Sequence, residues 1–392
     1  MTAAAPNLRL PHYFLVEGVN AVAATLFLYC AFFWTKARFG FTDTHNLLLT
    51  ATHGLVYILL TRWGGKLSDR LGYDRMLSAC LLGMTVTLLA GWLPRWWLTP
   101  FLLVALYTVF IAPTWPALEA AILHCPGTTS MPNRLGLYNV TWALGDGLGF
   151  ALSGVLFAWR EDSIVWVAGL FHLSQLVWMK LAPRHHGDPG QTAMKLAHHG
   201  DAVARPLKRR FMHTAWLANG LAFMMLAGFS ALTPFVGERL RLGPSHTIWL
   251  ASTLLFARTV AFVVFWKWEG WHYHRGWLRA AMWLSPVALG IAFYAVQPVI
   301  VFGALVVLGV AIGLSYSASL YYSLDYGENK GEIGGQHESI LGIGILVGPL
   351  LAALVSGLGG GTIGAEWTIV LLGVAATGIG RHLIDRSLKS NS

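Results

Sequence analysis

Glu17 and Asn20 stand three residues apart, and His53 and Tyr57 four apart, each pair inside a long apolar run. On an α-helix either spacing puts both members on one face. An ionisable group in such a run is expensive to hold there, so its presence marks a functional position by default. A carboxyl in this setting can carry a proton, while an imidazole or phenol can hydrogen-bond into a polar cavity. For Glu17 two readings stay open: a proton carrier, or a structural acid held by hydrogen bonds. His53 likewise reads as a buried hydrogen-bonding residue or as a contact for a bound molecule. Asp146, Arg258 and Glu338 are further charges in apolar surroundings. Glu338 follows Gln336 and His337 at the start of its run, where helix capping accounts for it as well as proton coupling does.

The elements that must position these groups follow from composition. Of 392 residues, 55% are hydrophobic, 13% aromatic and 11% charged, whereas soluble domains are about a quarter charged. A transmembrane helix needs about 20 mainly apolar residues. Twelve stretches qualify, near 12–34, 44–63, 76–93, 98–121, 135–159, 163–182, 211–236, 245–266, 277–296, 299–322, 337–358 and 363–383. They are continuous apolar runs, not ten-residue alternations, so helices are expected in preference to a barrel. The first run carries Glu17, is too long for a secretion signal and lacks a small-residue cleavage pattern, so it reads as a retained helix. Cys30, Cys80 and Cys125 have no paired spacing and read as packing residues.

Lys and Arg accumulate in cytoplasmic loops. With both termini inside, twenty basic residues fall on the cytoplasmic side and six outside, with Arg258 inside a span. The net charge of +9 is therefore topological, and no nucleic-acid partner is expected. On this topology Asp146 and Arg258 lie at depths that differ by about 6 Å, which an arginine can bridge. They either pair between the fifth and eighth spans or face separate water-filled cavities.

The longest polar segment, 182–210, separates six spans from six. This divides the chain into 1–182, a cytoplasmic linker 183–210, and 211–392. At an offset of 199, "GLYNVTWALGDGLGF" (136–150) lies over "GQHESILGIGILVGP" (335–349), pairing Gly136, Gly145 and Gly149 with Gly335, Gly344 and Gly348. The fold class expected is an all-α integral membrane protein of twelve transmembrane helices in two pseudo-symmetric six-helix halves, both termini cytoplasmic.

The short loop after the second span reads "WGGKLSDRLGYDRML". Gly64, Gly65 and Gly72 suit a tight turn between helix ends; Asp69 can face a helix N-terminus and Arg70 an acid on another span. With its six-plus-six spans and this loop, the chain resembles the major facilitator superfamily. Gly65, Leu67, Ser68, Asp69, Arg70 and Gly72 match that superfamily's loop motif, and Arg75 remains of its usual two terminal basic residues. Its fifth-span glycine motif is matched at Gly145, Gly149 and Gly154, with Phe150 in place of the proline. The fourth-span arginine signature of drug/proton antiporters is absent from "LVALYTVFIAPTWPALEAAIL".

The resemblance implies a secondary active transporter that moves a small organic solute by alternating access, proton-coupled, with Glu17, Asp146, Arg258 and Glu338 as coupling candidates. It implies that the loop latches the halves, with Glu119 as partner of Arg70; the other reading is that the loop's positive charge only fixes topology. It further implies a cavity lined by the first, fourth, seventh and tenth spans. Asn20, Trp115, Asn219 and Tyr316 are expected there, with His53 and Tyr57 from the second. Aromatic and sparsely polar, such a lining suits a neutral or amphipathic solute better than a highly charged one. No cofactor is expected; the partners are the solute, protons and the lipid bilayer, with the protein a monomer in a bacterial inner membrane.

Three alternatives compete with this reading. "HHGD" at 185–188 and again at 198–201 can bind Zn or Ni, which leaves a metal-sensing linker or a metal-ion transporter as a reading, but no cluster of metal-binding residues accompanies it within the spans. A membrane enzyme needs reactive residues gathered at one face and extended polar loops, and the outer loops are about ten residues. A transporter-like sensor or scaffold without flux would not need carboxyls within the spans, and Glu17 and Asp146 argue against it.

Overall fold

The computed structural model describes residues 7–91, 96–125, 130–185, 203–326 and 330–389. In the first half, one membrane segment comprises α1 (Leu10–Leu28) and α2 (Ala31–Phe39), followed by α3 (Asp43–Leu71) and α4 (Tyr73–Gly91). The fourth segment comprises α5 (Thr99–Ile111) and α6 (Thr114–His124), and α7 (Met131–Trp159) and α8 (Ser163–Leu181) complete the half. The second half contains α9 (Arg205–Arg239), α10 (Pro244–Lys267), α11 (Arg275–Tyr294), α12 (Pro298–Tyr326), α13 (Lys330–Val355) and α14 (Gly361–Lys389).

Among the described residues, ten stretches are long and apolar enough to cross a membrane. The last, Gly335–Ile379, contains both α13 and α14. The long helix outside the ten is α3, whose sequence "DTHNLLLTATHGLVYILLTRWGGKLSDRL" mixes charges with apolar residues. Splitting the last stretch and adding α3 gives the twelve crossings that the hydropathy pattern implies.

Local chemistry explains most of the breaks. Pro113 has no N–H to continue the helix, and the fourth segment divides there. Between α13 and α14 the chain makes a wide turn over Ser356–Gly360, with Gly359 at φ 102° and Gly361 at φ 56°. Only glycine adopts those angles without strain, which accounts for "SGLGGG". The break at Tyr29 and Cys30 contains neither residue type. At the linker, α9 starts at Arg205, so the basic residues up to Arg210, expected in the linker, form the first turns of a helix. The His-rich core of the linker, 186–202, lies outside the described residues.

The expected repeat has a packing counterpart. A Cβ on Gly145 would collide with the Gly18 carbonyl oxygen, and one on Gly149 with that of Val22, so α7 meets α1 backbone to backbone. In the second half, a Cβ on Gly344 would strike the Gly220 carbonyl oxygen and one on Gly348 the side chain of Met224. The same glycine pair thus sets the same helix contact in each half. The halves meet along two seams, α3 against α13 and α7 against α10.

At the end of the bundle away from the linker, side chains join the halves. Lys36 and Glu238 form an ion pair at 2.9 Å. Ser356 donates to Asp43 (2.7 Å) and shares a hydrogen bond with Thr44 (2.9 Å), while Asn46 Nδ2 donates to the Ala231 carbonyl at 3.4 Å. These contacts hold the halves together at the far end.

Candidate functional site

A cavity of about 160 Å³ lies between the halves and is lined from both. Three stripes at helical spacing supply much of its wall: Thr50, His53 and Tyr57 on α3; Tyr138, Trp142 and Asp146 on α7; and Glu338, Leu341 and Ile345 on α13. Tyr29 and Phe32 of the first segment, Trp115 of α6, Phe223 and Ser230 of α9, Arg258 of α10 and Tyr316 of α12 complete it.

Asp146 and Arg258 meet. Arg258 Nη2 lies 2.6 Å from Asp146 Oδ2, and Thr25 donates to the other carboxylate oxygen at 2.5 Å. The guanidinium also sits 4.5 Å from the ring centre of Trp142, where it gains a cation–π contact. Of the two readings left open by depth alone, the structure holds the pair. Unpaired, either charge would carry most of its desolvation penalty.

A second polar link also crosses the interface. Tyr57 donates to Glu338 Oε2 at 2.5 Å. Beside it, His337 Nδ1 bonds Ser319 at 2.9 Å, and Tyr316 packs edge-on against the His337 ring. His53 lines the cavity and bonds Thr108 at 2.8 Å.

Glu17, Asn20 and Asn219 lie deeper in the protein and outside the cavity lining. Glu17 is 0% exposed, and neither carboxyl oxygen has a hydrogen-bond partner among the described residues. Asn20 donates to Thr114 at 3.2 Å. Asn219 immediately precedes Gly220, as Glu17 precedes Gly18, and among the described residues its amide is likewise without a partner. The two halves thus place an unsatisfied polar side chain at matching points.

The loop motif departs from expectation in one respect. Arg70 is exposed and forms no ion pair with Glu119, which is half-buried on α6. In this structure the register of α6 does not bring Glu119 to Arg70, and the expected latch contact is not made. Asp69 accepts from Tyr73, at 3.3 Å; Ser68 bonds back to the Gly65 carbonyl at 2.8 Å, and Gly72 ends α3 at φ 86°. Leu67 and Arg75 are exposed.

The buried acid of this region is Asp74, at a position where the motif carries a basic residue. It accepts from the Leu8 amide (3.2 Å) and the Tyr13 hydroxyl (2.6 Å), and pairs with Arg184 (3.5 Å). A short backbone pairing of Asn7–Leu8 with Arg184–His185 runs alongside. Asp74→Ala is expected to destabilise the first half by about 1–3 kcal/mol for each buried donor left without an acceptor, read as a lower melting temperature in detergent. Asp69→Asn, at an exposed site, is expected to melt like the wild type yet lose transport in vesicles. Wild-type transport in that variant removes Asp69 from the transport cycle.

Reasoning from the sequence missed Thr50, Tyr138 and Trp142, because it confined the lining largely to four spans; Ser230, on one of those spans, was missed as well. The signal was present: Tyr138, Trp142 and Asp146 recur every four residues, one face of one helix.

Two six-helix halves closed around one cavity to which both contribute define a polytopic membrane transport protein. The chain belongs to the Major Facilitator Superfamily, whose sequence profile matches residues 13–349. Its fold is similar to that of the nucleoside transporter NupG (TM-score 0.72, 11% identity, covering 96% of this chain and 98% of that one). It is also similar to a bacterial homologue of the human lysosomal transporter Spinster in an inward-facing, occupied conformation (TM-score 0.73, 13% identity, 97% of each chain). A third similar structure is the human organic anion transporter MFSD10 (TM-score 0.66, 15% identity, 94% and 98%). No curated protein sequence matches the chain. Members of this family transport and are not enzymes, and the protein is a multi-pass membrane protein.

Proposed function

We propose that the protein is a proton-coupled secondary transporter of a small organic solute, working as a monomer in a bacterial inner membrane by alternating access. The observation that carries this reading is the cavity's position: both halves line it, and both buried polar links across it, Asp146 with Arg258 and Tyr57 with Glu338, join one half to the other. A solute that enters such a cavity touches both halves at once, so its binding biases their relative arrangement.

Glu17 supports the proton-coupled part. A carboxyl with no cation and no hydrogen-bond donor beside it is accommodated in a bundle interior when a proton neutralises it. The far end, held together by Lys36 with Glu238 and by Ser356 with Asp43 and Thr44, supports a cycle whose opening toward the linker end alternates with opening toward the far end.

The test is uptake into proteoliposomes of a panel of radiolabelled organic cations, nucleosides and organic anions, with and without an imposed pH gradient. Gradient-dependent accumulation of a panel member is the expected result. Binding without flux for every member overturns transport in favour of a sensor or scaffold, and flux indifferent to the gradient overturns proton coupling.

A further inference from the structure

We infer that the solute is an organic cation with a flat aromatic body, and that Glu338 is its counter-ion. The inference rests on the transport reading for the purpose of the cavity, but its binding chemistry stands apart from flux.

The buried charges are unbalanced. Glu17, Asp146 and Glu338 are buried acids of this interior, and Arg258, on Asp146, is the buried cation beside them among the described residues. Asp146 and Thr25 already engage that cluster's cation and its partner acid, and Trp142 covers the guanidinium. An anionic solute drawn to Arg258 competes with Asp146 for the guanidinium in a dry site.

Glu338 is in the opposite condition. It is 6% exposed, lines the cavity, and takes one hydrogen bond, from Tyr57 to Oε2; among the described residues its second oxygen has no donor. A neutral solute leaves that capacity to chance, whereas an ammonium or pyridinium satisfies it directly.

The surrounding rings favour the same ligand. Tyr316 lies 6.1 Å from Phe223 between ring centres, and Trp115 and Tyr138 share the lining. Aromatic faces attract cations through their quadrupoles, most strongly where water is excluded. Trp142 already serves Arg258, and Tyr316, Phe223, Trp115 and Tyr138 are among the further rings that line the cavity.

The experiment measures equilibrium binding of radiolabelled N-methyl-4-phenylpyridinium to the full-length protein in detergent, with 4-methylbiphenyl and 4-biphenylcarboxylate as neutral and anionic competitors of the same shape. The cation is expected to bind, and each competitor to displace it at concentrations about tenfold higher or more, equivalent to about 1.4 kcal/mol. Glu338→Gln is expected to weaken cation binding about tenfold or more. Glu338→Asp, which keeps the charge, is expected to retain the preference for the cation and controls for a variant that merely fails to fold. Absence of cation binding, equal displacement by either competitor, or undiminished binding to a folded Glu338→Gln protein overturns the inference. Binding that passes these tests without any flux in proteoliposomes instead overturns the transport reading and leaves the ligand class standing.

Discussion

Asp146→Arg and Arg258→Asp, made singly, are each expected to destabilise the protein by about 3–5 kcal/mol, the usual consequence of breaking a buried ion pair from one side. Each places two like charges face to face where the structure has Nη2 and Oδ2 at 2.6 Å. The double variant restores opposite charges and is expected to recover most of the loss. Recovery stops short of complete, because an arginine at 146 cannot accept from Thr25 and an aspartate at 258 forfeits the Trp142 face; the latter contact is worth about 0.5–2 kcal/mol. Thermal melting of the four proteins in one detergent closes the cycle. A double variant as unstable as the two single losses added together shows that the pair contributes nothing.

Glu17→Gln is expected to abolish proton-driven accumulation while leaving solute exchange across the membrane intact. The glutamine is close in size and keeps polar atoms at the same point, but it cannot take up and release a proton. One proton per solute and one pH unit of gradient correspond to about 1.4 kcal/mol, hence about tenfold accumulation. That factor is expected to fall to one in the variant, measured as the ratio of internal to external label at steady state. Accumulation that survives makes Glu17 structural and shifts the coupling role to Asp146 and Glu338.

The architecture was largely legible because a bilayer imposes a length and a polarity on each element that crosses it. The Asp146–Arg258 contact was legible only as one of two readings: similar depths allow the pair, and the packing of α7 against α10 decides it. The direction of Glu119 was not legible. Its place at the inner end of the fourth segment invited a partner in the nearby loop, but facing is decided by helix register, and the break at Pro113 resets the register of α6. The role of Asp74 was not legible for a related reason. Read within its loop it is one of two aspartates, and only the fold brings Leu8, Tyr13 and Arg184 to it across intervals of 61 to 110 residues.

The seams between the halves carry a mechanical consequence. Gly54 on α3 faces the Ile345–Leu346 backbone, and Gly342 on α13 faces Tyr57 and Ile58. Along the other seam, Gly136, Gly147 and Gly154 of α7 lie under the rings of Trp266, Phe256 and Trp249. Interlocked leucines would act as gear teeth, since each knob has to leave its hole before the helices turn. Glycine contacts act instead as plain bearings: one surface rolls on the other with little lateral resistance. Resistance to turning then falls largely on polar catches, among them Asp146 with Arg258, Tyr57 with Glu338, the Trp249 and Trp266 indoles on Ala151 and Asn133, and the Lys36, Asn46 and Ser356 contacts at the far end. Whatever neutralises or displaces a catch, a proton or a bound solute, therefore acts on the whole hinge line at once.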